Sequence, residues 1–172
     1  MQAGHYAVAL TIASFAEPLT GGHIPNFSLG AMAVTVAATT IPNLDGIPIM
    51  LKLAPKNFHC TWSHTVWFPI LTGLILLLLS MIIPSLHWGW ASLVFVSMIV
   101  HLLSDMPSSV GLPLFMPLTK KRFTFSLWAD TGAYGWISFR GTYEQAWTWV
   151  LEGGSYLILL IRLYQCNVWP FN

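Results

Sequence analysis

His101 and Asp105 are four residues apart in a stretch that is otherwise almost wholly apolar. That spacing puts both side chains on one face of a helix. Neutral imidazole and carboxylate are ligand types expected for zinc or a similar divalent ion. Other residues of the same chemistry lie elsewhere along the chain. Gly4-His5 supplies an early imidazole, and Ile41-Pro42-Asn43-Leu44-Asp45-Gly46 supplies a carboxylate. His59 and His64 add two more imidazoles, and Glu152 adds an acid within a late apolar run. Each also admits a plain structural role. Asp45-Gly46 reads as a turn, His101 as a residue favoured at a helix C-terminus, and Asp105, close before Pro107, as a helix stop. His64 could open a helix, and His5 could be an interfacial residue near the terminus. Cys60 and Cys166 have neither zinc-ribbon nor redox spacing, and nothing requires a disulfide between them.

The elements that must position these residues are apolar. Of the 172 residues, 55% are apolar and 8% charged, against roughly one quarter charged in soluble domains. So little charge excludes an ordinary wetted surface. The net charge of +1 offers no basic patch for nucleic acid. The length suits one domain, 1–172. Between Lys56 and Asp105 there is no Asp, Glu, Lys or Arg. Within that stretch, His64 to Ile83 has about the twenty residues a bilayer crossing needs. Pro84-Ser85 breaks the chain, and Leu86 to Leu103 makes a second run.

The expected fold is therefore all-α: an integral membrane helical bundle with a central transmembrane hairpin, a C-terminal apolar helix over Ala146 to Tyr164 and two shorter N-terminal helices over His5 to Ala16 and Phe27 to Ile41. The two shorter segments could pack against the bundle or form a re-entrant pair. Trp147 and Trp149 stand where an interfacial belt would place them. Ser104 to Gln145 is too polar and too rich in Gly and Pro to span. The N-terminal run lacks a basic leader, and Glu17-Pro18 is not a small-residue cleavage site, so it reads as retained rather than as a secretory signal.

Lys52 and Lys56 precede the hairpin, Lys120, Lys121, Arg122 and Arg140 follow it, and its tip has no basic residue. The positive-inside rule then makes both flanks cytoplasmic. A hairpin returns its two ends to one side, so His59 and His64 come level with His101 and Asp105. Asp45 lies just before the hairpin, and His5 joins them if the two N-terminal helices form an up-and-down pair. Glu152 is an acid that lipid would disfavour, which directs it inward. His23 and His87 fall on the opposite face and read as structural.

With these residues placed, the chain resembles the LexA-regulated, inner-membrane-associated metal-dependent hydrolases of bacteria and archaea. That family has an early Gly-His, a Pro-Asp-x-Asp segment, a His-Arg-x-x-Thr-His-Ser motif opening a membrane helix, and a His-x-x-x-Asp motif followed by Gly-hydrophobic-Pro and basic residues. Here these elements are Gly4-His5, Pro42-Asn43-Leu44-Asp45 and His59-Cys60-Thr61-Trp62-Ser63-His64-Thr65. They continue with His101-Leu102-Leu103-Ser104-Asp105, Gly111-Leu112-Pro113 and Lys120-Lys121-Arg122, and Glu152 sits where the family often has a Glu. Asn43 and Cys60 depart from the pattern, replacing an Asp and an Arg.

The resemblance implies hydrolysis by a metal-activated water, with Zn2+ the expected ion. Asp45, His64, His101 and Asp105 are then the core ligands, with His5, His59 and Glu152 as second-site ligands or proton carriers; His5 counts among the metal candidates, and Asp45, His59 and Glu152 among the catalytic ones. The order of motifs is also loosely similar to zinc phospholipases C, a pointer to phosphoesters by analogy. A site at headgroup level in the inner membrane, facing the cytoplasm, suits a lipid or other amphiphile, with the bilayer itself as partner. The competing reading is a non-catalytic metal-binding membrane protein, such as a transporter component or assembly partner. A conduit needs polar residues through the bilayer depth, and Leu71 to Ile83 has almost none.

Overall fold

A computed structural model describes residues 2–55, 58, 60–107, 111–125 and 146–168. His59, Lys56 and Arg140, which entered the site and orientation readings, lie outside the described residues. Among the described residues the chain is helical. The elements are α1 (Gln2–Ala13), α2 (Ala16–Leu19), α3 (Leu29–Thr40), α4 (Gly46–Met50), α5 (Trp67–Ser80), α6 (Trp88–Asp105) and α7 (Ala146–Gln165). Short 3-10 turns cover Ile41–Asp45 and Trp62–His64. The segment 111–125 carries one isolated antiparallel bridge, Leu112 with Phe123.

Helix α1 is the centre of the bundle, packing against α3, α6 and α7. A helix apolar on every side belongs in such a position, and its Ala7, Ala9, Ile12 and Ala13 are buried. Small side chains let the neighbouring backbones come close. Around the far half of α1, Ile12, Ala13, Ala16, Ile24, Ala31 and Leu93 form the main apolar core. Hydroxyls in this core are satisfied by the backbone of their own helices: Thr35 Oγ1 donates to Ala31 O at 2.9 Å and Thr20 Oγ1 to Ala16 O at 2.8 Å. No buried hydroxyl need therefore seek water at these two positions.

The expected hairpin is α5 and α6, which pack together across a seven-residue connection, residues 81–87. A Cβ added to Gly73 would lie 3.3 Å from Phe95 Cβ, so glycine is what allows the two midpoints to meet. One expectation needs correcting. The run from His64 to Ile83 is not one long helix, because α5 has 14 residues and begins only at Trp67. Before it, Val66 N donates to Leu114 O at 2.9 Å and Thr65 Oγ1 to Trp62 O at 2.9 Å, holding His64 in a 3-10 turn. After it, Pro84 has no N–H with which to continue the helix. The apolar run goes on past Ser80 as the exposed turn residues Met81 and Ile82. Among the described helices, only α6, at 18 residues, is long and apolar enough by length and composition to cross a membrane.

The exteriors of α5 and α7 are nonetheless apolar. Leu71, Leu74, Ile75 and Leu78 form an exposed stripe on α5, and Val150, Leu157, Ile158 and Ile161 are exposed on α7. Exposed apolar surface on this scale marks a face that meets lipid or protein.

Helix α7 is fastened to α1 at two points. Glu152 lies against Gly4. Ten residues further along both helices, Arg162 reaches the end of α1, where its Nε donates to Ser14 Oγ at 3.0 Å and its Nη2 to Ser14 O at 2.7 Å. The guanidinium also lies 3.8 Å from the centre of the Phe15 ring. The sequence separation is 148 at both contacts, so the first and last helices run parallel in one register. Hydrogen bonds from a charged donor contribute about 1.5–3 kcal/mol, and an exposed cation–π contact about 0.5–1 kcal/mol. Arg162→Leu is expected to lower unfolding stability by roughly 2 kcal/mol, read as an earlier thermal transition by circular dichroism in detergent. An unchanged transition would remove Arg162 as the far fastening.

Candidate metal centre

The turns and helix ends described above gather the histidines at one end of the bundle. The starts of α1 and α7, the turn before α5, the turn after α3 and the end of α6 all meet there. His5 comes from the first turns of α1 and is 5% exposed; His64 and His101 are fully buried. The two N-terminal helices do form an up-and-down pair, and this is what returns Asp45 to the end of the bundle that holds His5.

Asp105 is the common neighbour. His5 Nε2 lies 3.1 Å from Asp105 Oδ1, His101 Nε2 lies 3.2 Å from Asp105 Oδ2, and His64 Nε2 lies 3.5 Å from the same oxygen. The ring centroids of His5 and His101 are 4.5 Å apart and those of His64 and His101 are 5.4 Å apart. His5, His101 and Asp105 each offer one ligand atom, and these three atoms lie within 4.8 Å of one another. Beyond these contacts of Nε2 with Asp105, the Nδ1 atoms of His5 and His101 have no hydrogen-bond partner among the described residues. Buried polar atoms are rarely left so, and convergent imidazole nitrogens around a carboxylate are what a divalent cation needs. The donor set therefore fits a metal ion. Asp105 keeps 20% side-chain exposure, which gives solvent a way in.

Asp45 stands one layer back. Its Oδ2 accepts from Cys60 N at 3.0 Å and from Ser63 Oγ at 2.9 Å, and His64 Nδ1 is 3.4 Å away. Ser63 Oγ is also 2.9 Å from His64 Nδ1. Ser63 has one hydroxyl proton, and it is donated to Asp45, so the histidine contact requires a proton on Nδ1. That leaves Nε2 as the atom facing Asp105. A carboxylate that fixes the far nitrogen of a ligating histidine is the usual support of a metal site. Burial opposes protonation of His64, but Asp105, Asp45 and Cys60 outweigh it and hold its pKa well above the usual 6.5. A proton or a metal ion at Nε2 answers the same demand.

Asp45 was expected among the core ligands and His5 outside them; the structure puts His5 in the closest triad and Asp45 behind His64. The Asp45-Gly46 turn is replaced by continuous helical structure, since the 3-10 turn over Ile41–Asp45 runs directly into α4. Glu152 is 3% exposed and lies in the second turn of α7, six residues after Ala146, directed inward as expected. His23 and His87 meet at the other end of α6, with ring centroids 3.8 Å apart, and His87 Nδ1 accepts from Gly89 N at 3.0 Å as that helix's cap.

Three contributors were not visible from residue type alone. Ser63 links Asp45 to His64. Arg122 binds the segment after α6 to the segment before α5, with Nη2 donating to Gly111 O at 2.8 Å and to Cys60 O at 3.4 Å. Gly4 leaves room for an acid, since a Cβ there would be 2.8 Å from Glu152 Cγ. The Gly4-His5 pair was the available signal for the last of these.

The family model described as YdjM inner membrane protein matches residues 1–167. No curated protein and no solved structure matches the chain.

The close approach at Gly4 gives a test of how Glu152 is held. Gly4→Ala is expected to lower stability by about 1–3 kcal/mol through overpacking. Glu152→Ala removes the obstructing atoms, so in the double variant the Gly4→Ala penalty should largely vanish in thermal unfolding. Additive losses would show that the two residues do not touch.

Proposed function

The chain belongs to the YdjM inner membrane protein family, and on that premise we propose that it is a multi-pass membrane hydrolase with a divalent-metal centre facing the cytoplasm. The observation that carries this reading is the triad of His5, His101 and Asp105, whose ligand atoms lie within 4.8 Å of one another around a solvent-accessible carboxylate. His5, His101 and Asp105 would hold the ion, with His64 Nε2 as the fourth donor and Zn2+ the best match to this ligand set. When bound, such an ion supplies Lewis acidity and lowers the pKa of water to about 7.

The chain's own groups do the rest. Asp45 and Ser63 keep His64 turned so that Nε2 faces inward. Glu152, buried against Gly4, the residue before His5, would take or return a proton at its carboxylate. Apolar packing of α1, α3 and α6 beneath the site excludes water from below. A phosphoester linkage in a lipid-like molecule suits a site at headgroup depth.

Orientation rests on charge. Lys52, Lys120, Lys121 and Arg122 belong to the segments at the metal-centre end, and all are exposed. That bias makes this end cytoplasmic. Arg162 lies at the opposite end, but its donors are taken up by Ser14 and Gln165. With Cys60 and Cys166 replaced, a cysteine at Ser85 is expected to react with an impermeant maleimide in intact cells. Cysteines at Lys52 and Lys120 should react only after permeabilisation. Labelling of all three from one side would exclude the hairpin topology.

The chemistry is tested on purified protein. Zinc content by mass spectrometry should fall to background in His101→Ala and Asp105→Asn. In Ser63→Ala, zinc affinity should weaken by roughly 10–100-fold. Glu152→Gln should fold normally yet lose hydrolysis of bis-p-nitrophenyl phosphate by about 100-fold or more. A parent protein without zinc, or a Glu152→Gln variant that turns over like the parent, would overturn the assignment.

A further inference from the structure

A cavity of about 340 Å³ lies between α6 and α7 over α1. That is within the roughly 300–1,000 Å³ usual for small-molecule sites. Val8 of α1, Leu103 of α6, Leu151 of α7 and Phe125 of the following segment line it, and its surface is almost wholly apolar. The two serines in the wall do not change this. Ser104 Oγ donates to His101 O at 2.7 Å and Ser155 Oγ to Leu151 O at 2.8 Å, so each hydroxyl is used by its own helix.

Position gives the cavity its meaning. Its lining residues Gly4, Ser104 and Leu151 immediately precede His5, Asp105 and Glu152 in the chain. The apolar space therefore lies at the same end of the bundle as the His5–Asp105 cluster. Phe125, whose N donates to Met106 O at 2.8 Å, is 58% exposed at the rim. The outer face of α7 next to it is apolar as well.

We propose that this cavity holds one acyl chain of a membrane amphiphile, whose polar head then lies at the His5–His101–Asp105 cluster. An apolar wall without a free donor suits a hydrocarbon chain and no polar ligand. A protein helix, about 10–12 Å across, is too wide for it. The inference deepens the hydrolase reading by naming the substrate class, an acyl-bearing lipid, and rests on that reading only for what becomes of the head. Chain binding itself needs no turnover.

The test uses the zinc-loaded protein in nanodiscs of phosphatidylethanolamine and phosphatidylglycerol, with a trace of phosphatidic acid carrying a diazirine in its acyl chain. After photolysis, mass spectrometry should find label on Val8, Leu103 and Leu151 in excess over the outward-facing Leu74 and Ile75 of α5. Leu151→Trp fills the space and should cut labelling of Val8 and Leu103 by about tenfold, the loss expected when roughly two methylenes are denied burial. Ser155→Leu fills less and gives a second measure should the tryptophan variant fail to fold. Label no greater on Val8 and Leu103 than on Leu74 and Ile75, or unaffected by a folded filling variant, would overturn the chain site. Strong cavity labelling in a zinc-loaded protein that hydrolyses no phosphoester would support the chain site and remove the hydrolase reading.

Discussion

Three imidazole nitrogens lie within 3.5 Å of the Asp105 carboxylate, and the rest of the fold is arranged around that contact. A carboxylate drawn out of water needs charge or hydrogen-bond compensation of several kcal/mol. The compensation comes from His5 of α1, from His64 in the turn before α5 and from His101 one turn earlier on α6. Meeting this demand requires the ends of several helices to stay within an ångström or so of one arrangement. The apolar body of the bundle provides the stiffness, and the two 3-10 turns, over Ile41–Asp45 and Trp62–His64, supply local adjustments that straight helices could not.

The choice of small residues on α1 follows from the same demand. A central helix with three neighbours must be thin where those neighbours come closest. Ala7, Ala9 and Ala13 are buried along it, and Gly4 is bare where Glu152 arrives. A bulkier α1 would push α7 outward and carry Glu152 away from Gly4. Packing and chemistry are thus set by the same few positions.

Much of this was legible in the amino-acid sequence, and what was not had physical reasons. The i,i+4 spacing of His101 and Asp105 placed them on one helical face, and α6 puts both at its end. The charge-free stretch around Pro84 marked two helices joined by a tight connection, which are α5 and α6. Length was the weaker signal. An apolar run does not record where its backbone leaves the helix, and His64 sits in a turn because of bonds to residues as distant as Leu114. Ligand order was similarly hidden. Asp45 and His5 have equivalent chemistry in a string of letters. Only the path of the turn after α3, and the bond from Ser63, sets the first behind His64 and leaves the second against Asp105.

The parallel register between α1 and α7 has a kinetic consequence. Its partners are 148 residues apart, and at roughly 5–20 residues per second of synthesis α1 must wait about 7–30 s for α7 to be made. During that interval Gly4 and Ser14 lack their α7 contacts, and the loop later closed is long, although closure entropy grows only logarithmically with length. His5, His64, His101 and Asp105 all precede α7 in the chain and can meet before it arrives, whereas Glu152 comes only with that helix. A nascent chain can therefore gather the histidines around Asp105 before it brings Glu152 against Gly4. Translation itself orders the two contacts, with the twenty-residue α7 bringing the second.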